Sequence, residues 1–109
     1  YGLRRPLAAT SLIATVPIGY ADGVPRSLID SDIQVLVNGV PRSLAGTITM
    51  DQLMLDCGND FDVTVGDEVV LIGRQGEHVV TADNWADALG TIGYEIVCGI
   101  GERVFRRYQ

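Results

Sequence analysis

Short apolar runs alternate with turn residues along most of this chain. The runs are rich in β-branched side chains and end at glycine, proline, asparagine or aspartate, a pattern that predicts strands. The predicted strands span residues 12–18, 33–37, 40–44, 46–50, 53–56, 68–72 and 78–80. Many short strands separated by close turns are typical of an all-β barrel or sandwich.

Two stretches carry the signals of tight turns. Asn38 and Gly39 separate the second and third runs, and an Asn-Gly pair suits the positive φ angles of a type I′ turn. We therefore expect residues 33–37 and 40–44 to form a hairpin. Residues 73–76 (GRQG) are predicted to be a second turn, which leads the chain from residues 68–72 back into residues 78–80.

One helix is predicted between Thr81 and Gly90. Thr81 is a suitable N-cap, Asp83 lies in the first turn where the helix dipole favours an acid, and Gly90 suits the end of a helix. Trp85 and Leu89 are spaced four residues apart and are expected to form its buried face.

The stretch from Tyr94 to Ile100 fits the period of a helix and also that of a strand. We favour a short helix here, followed by a last strand over residues 103–108. The predicted fold class is mainly β: a small, Greek-key-like β-barrel with one or two short helices.

Length and charge limit the classes of protein to consider. The chain has 109 residues, the usual size of one domain, and a net charge of −6 that repels nucleic acid. No apolar run is long enough to cross a membrane. Because the chain begins at Tyr1 rather than at a methionine, we expect it to be part of a longer protein.

Cysteine and lysine usage bears on the chemistry. Cys57 and Cys98 lie far apart without metal-ligand spacing, and we expect both to be buried free thiols of a cytoplasmic protein. The basic residues are all arginine. A mechanism that forms a Schiff base on a lysine of this chain is therefore excluded.

The residue types that usually carry catalysis are scarce. The single histidine, His78, is expected at the surface, and without it no Ser–His–acid set can be assembled. Asp60 and Asp62 are interpreted as a solvated loop rather than a metal site. Tyrosines bordering glycine remain, at positions 1, 20 and 94. A phenol, with a pKa of about 10, acts as a base only where neighbours stabilise its phenolate; from residue types alone, these tyrosines either cover the edge of the core or face a ligand.

Four stretches occur in one order along the chain: PIGYADGVPR (17–26), MDQLMLD (50–56), VGDEVVLIGRQG (65–76) and TIGYEI (91–96). Together they resemble the C-terminal domain of bacterial alanine racemase, over residues 1–108. The resemblance implies that residues 1–109 are this domain, and that an absent N-terminal (β/α)₈ barrel holds pyridoxal 5′-phosphate on a lysine. It also implies a homodimer in which the domain completes the active site of the second subunit.

The activity implied by the resemblance is the interconversion of L- and D-alanine by two bases, for peptidoglycan precursors. One base is the barrel's lysine; the other is the tyrosine of a YG pair that matches Tyr1. By the same resemblance, the backbone N–H of Met50 meets the substrate carboxylate and Asp51 shapes the same loop. The fragment alone is expected to be inactive and to bind no cofactor covalently.

Four further roles are implied by position. Tyr20 resembles a tyrosine at the substrate entrance, and Tyr94 resembles one that helps to hold the cofactor phosphate. Arg26 and Ile92 resemble residues that line the access corridor. The resemblance implies that the domain contacts the N-terminal barrels of both subunits and a small amino-acid substrate. It implies no binding to nucleic acid or to a membrane.

One departure from the family pattern keeps alternatives open. Many relatives carry arginine three residues before the methionine of MDQ, where this chain has Thr47. Loss of that corridor charge leaves a racemase of serine or another amino acid as an alternative. A different class is a non-catalytic β-barrel interaction module, since VGDEVVLIG also resembles barrels of translation factors.

Overall fold

The computed structural model describes residues 12–59 and 62–106, which form seven strands and two α-helices. Tyr1, Asp60 and residues 107–108, which figure in the sequence predictions, lie outside the described residues. The strands are β1 (Ile13–Val16), β2 (Gln34–Val37), β3 (Val40–Ala45), β4 (Leu53–Asp56), β5 (Val69–Val70), β6 (Gly73–Gln75) and β7 (His78–Val80); the helices are α1 (Ala82–Leu89) and α2 (Gly93–Cys98). Two 3₁₀ turns, Tyr20–Asp22 and Arg26–Asp30, lie between β1 and β2.

Five strands form an antiparallel sheet in the order β1-β4-β3-β2-β5, while β6 and β7 pair separately. Strands β2, β3 and β4 follow one another, and β1 lies beside β4 after a long connection, which is a Greek-key arrangement. The sheet curls into half of a barrel. The predicted fold class, mainly β with short helices, is confirmed.

The hairpin predicted at Asn38 and Gly39 is confirmed. Both residues have positive φ angles, 53° and 75°, as a type I′ turn requires. The Gly39 N–H donates to Oε1 of Gln75 (2.7 Å), and Asn38 Nδ2 donates to Oδ2 of Asp67 (2.9 Å). The tip of this hairpin is therefore tied to two later segments of the chain.

The core is built from buried side chains of the sheet, of the segment between β1 and β2, and of both helices. In β4, Leu53 and Leu55 are buried while Met54 and Asp56 are half-buried, the alternation expected of a strand with one face inward. Helix α1 contributes Trp85 to this core. The buried apolar cluster also contains Val24, Leu28, Ile29, Val35, Leu36, Val37, Leu44, Ile48, Cys57, Val80, Ala86 and Ile96.

Helix α1 has the ends predicted from its sequence. The Thr81 hydroxyl accepts from the Asn84 N–H (3.0 Å), and Oδ1 of Asn84 accepts from the Thr81 N–H (2.8 Å). Gly90 follows in the left-handed conformation and ends the helix. The short helix favoured for residues 94–100 is also confirmed, as α2. Among the described residues, no helix is long and apolar enough to span a membrane.

One predicted strand, residues 46–50, is wrong, and most of a predicted turn, residues 73–76, belongs to a strand. Residues 46–50 form an irregular loop because the carbonyl groups of Thr49 and Met50 accept hydrogen bonds from the segment at Tyr20 rather than from a strand. Residues 73–76 were predicted to be a turn, but Gly73 pairs with Val80 as the start of β6. The turn is formed by the next two residues, 76–77, and the strand predicted over residues 68–72 shortens to β5.

The last predicted strand is also wrong within the described residues. Residues 103–106 are not extended, because the Arg106 guanidinium folds back and donates to the carbonyl groups of Val104 (2.8 Å) and Gly101 (3.0 Å). Neither cysteine forms a disulfide, as predicted, but only Cys57 is buried. Cys98 is exposed because α2 buries a single side chain, Ile96, and Cys98 lies off that face.

Candidate functional site

The Tyr20 turn, residues 19–23, owes its shape to its two glycines. Gly19 is buried, and a Cβ there would clash with the carbonyl oxygen of Thr49 and lie 2.7 Å from the carbonyl carbon of Met50. Gly23 has φ 109°, and a Cβ there would lie 2.5 Å from the carbonyl oxygen of Gly99. The glycines therefore allow the turn to touch two other segments backbone to backbone.

The first of these segments is the Met50 loop, residues 49–52. The Tyr20 N–H donates to the Thr49 carbonyl (2.9 Å) and the Ala21 N–H donates to the Met50 carbonyl (3.0 Å). The loop is closed by the Thr49 N–H, which donates to the Gln52 carbonyl (2.9 Å). Met50 and Asp51 therefore lie at an exposed tip, and the Met50 N–H meets no acceptor among the described residues.

The second segment is the C-terminal end of α2 and the chain that follows it. The Gly101 N–H donates to the Asp22 carbonyl (3.1 Å). Arg103 then reaches both the turn and the loop: its Nε lies 2.8 Å from Asp22 Oδ1 and one Nη 3.0 Å from Asp22 Oδ2, while the other Nη lies 2.7 Å from Asp51 Oδ1. Three segments distant in sequence therefore meet at one guanidinium.

The Asp22 carboxylate is buried, with 4% of its surface exposed. It accepts from the Gly19 N–H (3.2 Å) as well as from Arg103, so its charge is paired and hydrogen-bonded. The hydrogen bond to Asp51, followed by the hydrogen bond and charge of Asp22, raises the pKa of Arg103 above its already high value. The guanidinium is therefore permanently charged.

A cleft of about 400 Å³ lies between the Tyr20 turn and α2. Tyr20 lines it together with Pro25 on one side, and Thr91 and Glu95 on the other. The Tyr20 ring is 39% exposed, and the Arg26 guanidinium carbon lies 5.9 Å from its centroid, within the range of a cation–π contact. The tyrosine thus faces an open cleft rather than covering the core.

The predicted site residues cluster on one face, here called the site face: the Tyr20 turn, the Met50 loop and α2. Tyr20 and Arg26 are in contact, and Met50 and Asp51 follow directly on the hydrogen-bonded loop. Ile92 and Tyr94 lie at the start of α2, where they are 64% and 82% exposed; their neighbours, rather than they, line the cleft. Tyr1 lies outside the described residues.

Thr47 stands where many relatives carry the corridor arginine. Its side chain is 2% exposed and lies between buried neighbours. The chain turns inward here to deliver Ile48 to the core, so Thr47 lies within the domain.

His78 is exposed on β7, as predicted. Asp62 is exposed, and no group of three metal-ligating side chains occurs within the described ranges.

Asp22 and Arg103 are the members of the site that the sequence did not reveal. Asp22 looked like an ordinary turn residue, and Arg103 like part of a basic tail. Their pairing joins residues 81 positions apart. An aspartate two residues after a tyrosine inside a glycine-flanked turn was the available signal, because a carboxylate buried in such a turn needs a partner for its charge.

The fold and the site define a class: a half-barrel domain that presents a tyrosine turn and a backbone loop at one face. The sequence profile described as "Alanine racemase, C-terminal domain" matches residues 1–108. The chain belongs to this family, and the resemblance found in its motifs is confirmed.

Individual relatives agree with this assignment. The alanine racemase of Cutibacterium acnes is 52% identical over 106 residues, which are 97% of this chain and 28% of that protein. Two solved alanine racemases are similar in structure. The alanine racemase of Bacillus anthracis, with bound L-Ala-P, has a TM-score of 0.77 and 47% sequence identity; the match covers 84% of this chain and 23% of the racemase chain. That of E. faecalis has a TM-score of 0.82 and 35% identity over 98% of this chain and 31% of its own. The chain therefore spans less than a third of the length of each.

Proposed function

We propose that this chain acts as the C-terminal domain of a cytoplasmic alanine racemase, in one polypeptide with an N-terminal barrel. The relatives, more than three times as long, bear that name. The observation that carries the proposal is the joining of the Tyr20 turn to the Met50 loop. This joining brings the Met50 N–H, which has no acceptor among the described residues, close to the exposed Tyr20 at the edge of the cleft.

The N–H of Met50 binds the carboxylate of the amino acid in this proposal. A backbone donor at the tip of a closed loop is held in a fixed direction, so it orients a carboxylate at low entropic cost. Asp51 would repel that carboxylate, but Arg103 compensates its charge at 2.7 Å. Tyr20 lines the entrance, where a substrate no larger than a small amino acid passes.

Tyr1 is proposed as the base that takes the α-proton of the L-substrate and returns one to the same face. This assignment rests on its place in the family motif, upstream of the Tyr20 turn. The phenol needs an oriented partner that stabilises its phenolate, and we expect that partner to come from the barrel.

Pyridoxal phosphate, when bound, supplies the electron sink that makes an amino acid's α-proton removable. The residues of this chain could make only some of the contacts that hold this cofactor. It contains no lysine, so it cannot hold the cofactor covalently. The Tyr94 phenol, 82% exposed at the start of α2, fits a single hydrogen bond to a phosphate oxygen. The covalent attachment therefore belongs to the proposed N-terminal barrel.

The homodimer proposed for this enzyme gives the exposed apolar side chains of the site face a partner. Tyr94 and Val97 on α2 are more than half exposed, as are Ile92 directly before the helix and Phe105 after it. Apolar groups clustered in this way mark surfaces that other protein covers. We infer that the barrel of a second subunit covers them, and that the product serves peptidoglycan precursor synthesis.

The test is Tyr1→Phe in the full-length protein. Removal of a general base lowers the rate by about 10²–10⁴-fold, so racemisation of L-alanine should fall by at least the lower figure. In deuterium oxide, exchange of the α-proton of D-alanine should persist, because the lysine serves that face. Tyr20→Phe is the matched control, and should change KM more than kcat.

A wild-type rate for Tyr1→Phe would refute the assignment of the base. Racemisation rates across a panel of L-amino acids that includes alanine and serine identify the substrate. If serine is racemised faster than alanine, serine would be the substrate instead.

A further inference from the structure

We propose that Arg103 is a positioning residue of this site: it fixes the Met50 loop against the Tyr20 turn and compensates the negative charge beside the substrate-binding N–H. The inference rests on the proposed function, since it concerns the binding of the amino acid's carboxylate. It assigns a role to a residue that lies in none of the four family motifs quoted above.

The geometry of the guanidinium carries the first step. Arg103 uses Nε and one Nη on the two oxygens of Asp22, and keeps the other Nη for Asp51. A planar fork with donors in fixed directions sets the distance between its two carboxylate partners, which a lysine ammonium does not. Asp22 belongs to the Tyr20 turn and Asp51 to the Met50 loop, so the fork adds a side-chain link to the two backbone bonds between them.

Burial shows which partner depends most on Arg103. Asp22 is 4% exposed, whereas Asp51 is 58% exposed. Without the guanidinium, the Asp22 carboxylate would keep, within the described ranges, only the Gly19 N–H as a donor (3.2 Å), and a buried charge paired so poorly is costly. The Tyr20 turn would then change its conformation, and the hydrogen bonds that it donates to the carbonyl groups of residues 49 and 50 would weaken.

Charge explains why substrate binding is the property affected. Two carboxylates and one guanidinium sum to −1, and removal of Arg103 leaves −2 next to the Met50 N–H. A substrate carboxylate binding there meets greater repulsion. The proton-transfer step, assigned to Tyr1 and the barrel's lysine, does not involve Arg103. The loss should therefore fall on KM rather than on kcat.

The experiment uses the full-length enzyme with three variants: Arg103→Gln, Arg103→Lys and Arg74→Gln. Arg74 is an exposed arginine of β6 without a described ion pair, so Arg74→Gln removes the same charge away from the site. For Arg103→Gln we expect KM for L-alanine to rise about tenfold, the loss of roughly one charged hydrogen bond, with kcat within about twofold. The KM of Arg103→Lys should lie between that of the wild type and that of Arg103→Gln. The KM of Arg74→Gln should match the wild-type value.

A charge rescue separates positioning from mere stability. In the double variant Arg103→Gln/Asp51→Asn, the negative charge beside Met50 is gone, so KM should return part of the way to the wild-type value. If Arg103→Gln does not fold, Arg103→Lys carries the test, because it keeps the charge but cannot bridge both carboxylates; its KM must still exceed that of Arg74→Gln.

A KM unchanged in the folded Arg103 variants, or a fall in kcat alone, would overturn the inference while the proposed function stands. A wild-type enzyme that does not racemise alanine would refute the proposed function instead.

Discussion

The main sheet buries the side chains of its central strands, whereas the site face keeps its large side chains exposed and joins its segments through backbone groups. Leu36, Leu44 and Leu55 are at most 1% exposed in the sheet. Met50 and Tyr94, on the site face, are 52% and 82% exposed. The sheet is stabilised by apolar burial, and the site face by glycine contacts and paired charges.

This difference determines which amino-acid substitutions each region tolerates. Burial depends on side-chain volume, so the sheet resists any substitution that leaves a cavity. Backbone contacts depend on the absence of a Cβ at a few positions, so the site face resists changes at Gly19 and Gly23 but leaves its outer side chains available for binding. The four predictions below test this contrast.

Leu55→Ala should have the largest effect. The side chain is fully buried in β4, and removal of such a leucine costs about 2–5 kcal/mol of unfolding free energy. Urea unfolding, followed by the fluorescence of the single tryptophan, Trp85, measures it. Val79→Ala on exposed β7 is the control and should cost less than about 0.5 kcal/mol. Equal losses at both positions would contradict the contrast.

Gly19→Ala should cost about 1–3 kcal/mol, because the new Cβ forces the Tyr20 turn away from the Met50 loop. Amide chemical shifts of residues 20, 21, 49 and 50 should move, while those of β2–β4 stay in place. Gly99→Ala is the milder control, since its nearest atom lies 3.3 Å away and its φ is −75°. A Gly19→Ala protein with unchanged shifts would show that the close approach is not needed.

Thr81→Ala should cost about 1 kcal/mol, the usual value for loss of an N-cap. Because α1 packs against α2 and both helices contribute side chains to the core, faster amide exchange should appear in both helices. Thr81→Ser keeps the hydroxyl and serves as the control, with little change expected. An effect confined to the first turn of α1 would mean that the two regions are not coupled through this helix.

Asp67→Asn should have the smallest effect, and one that depends on pH. The N–H of Thr64, and then the side chain of Asn38, hold the pKa of Asp67 below its usual value. A lowered folded-state pKa stabilises the fold above the unfolded value of about 3.9, and this contribution disappears as pH falls through the folded-state pKa. Melting temperatures of wild type and variant should therefore differ most near neutral pH and converge in acid. A difference that grows in acid would reverse the sign and refute the assignment.

Elements with local signals could be predicted from the sequence. The Asn38-Gly39 hairpin and the capped helix α1 were both correct, because the residues that determine them lie within a few positions. Residues 46–50 were wrong because their backbone groups bond to the distant segment at Tyr20, which no local pattern reveals. Residues 73–76 were wrong because their glycines suggested a turn, whereas the turn lies at residues 76–77 and residues 73–75 pair with the strand that follows.

The site shows the same limit. Motifs pointed to Tyr20 and Met50, and the structure brings them onto one face, but their roles stay predictions. Asp22 and Arg103 were missed because a carboxylate in a turn and an arginine in a tail are each common, and only folding joins them.

The Tyr20 turn donates its direct hydrogen bonds to carbonyl oxygens of the Met50 loop, and this has a consequence for protein engineering. The Met50 side chain takes no part in the described hydrogen bonds and is 52% exposed, so the backbone bonds of the loop do not depend on it. Saturation mutagenesis at this one codon would vary the chemical lining that an incoming molecule meets while the amide stays where it is. Proline is the exception, since it alone deletes the donor.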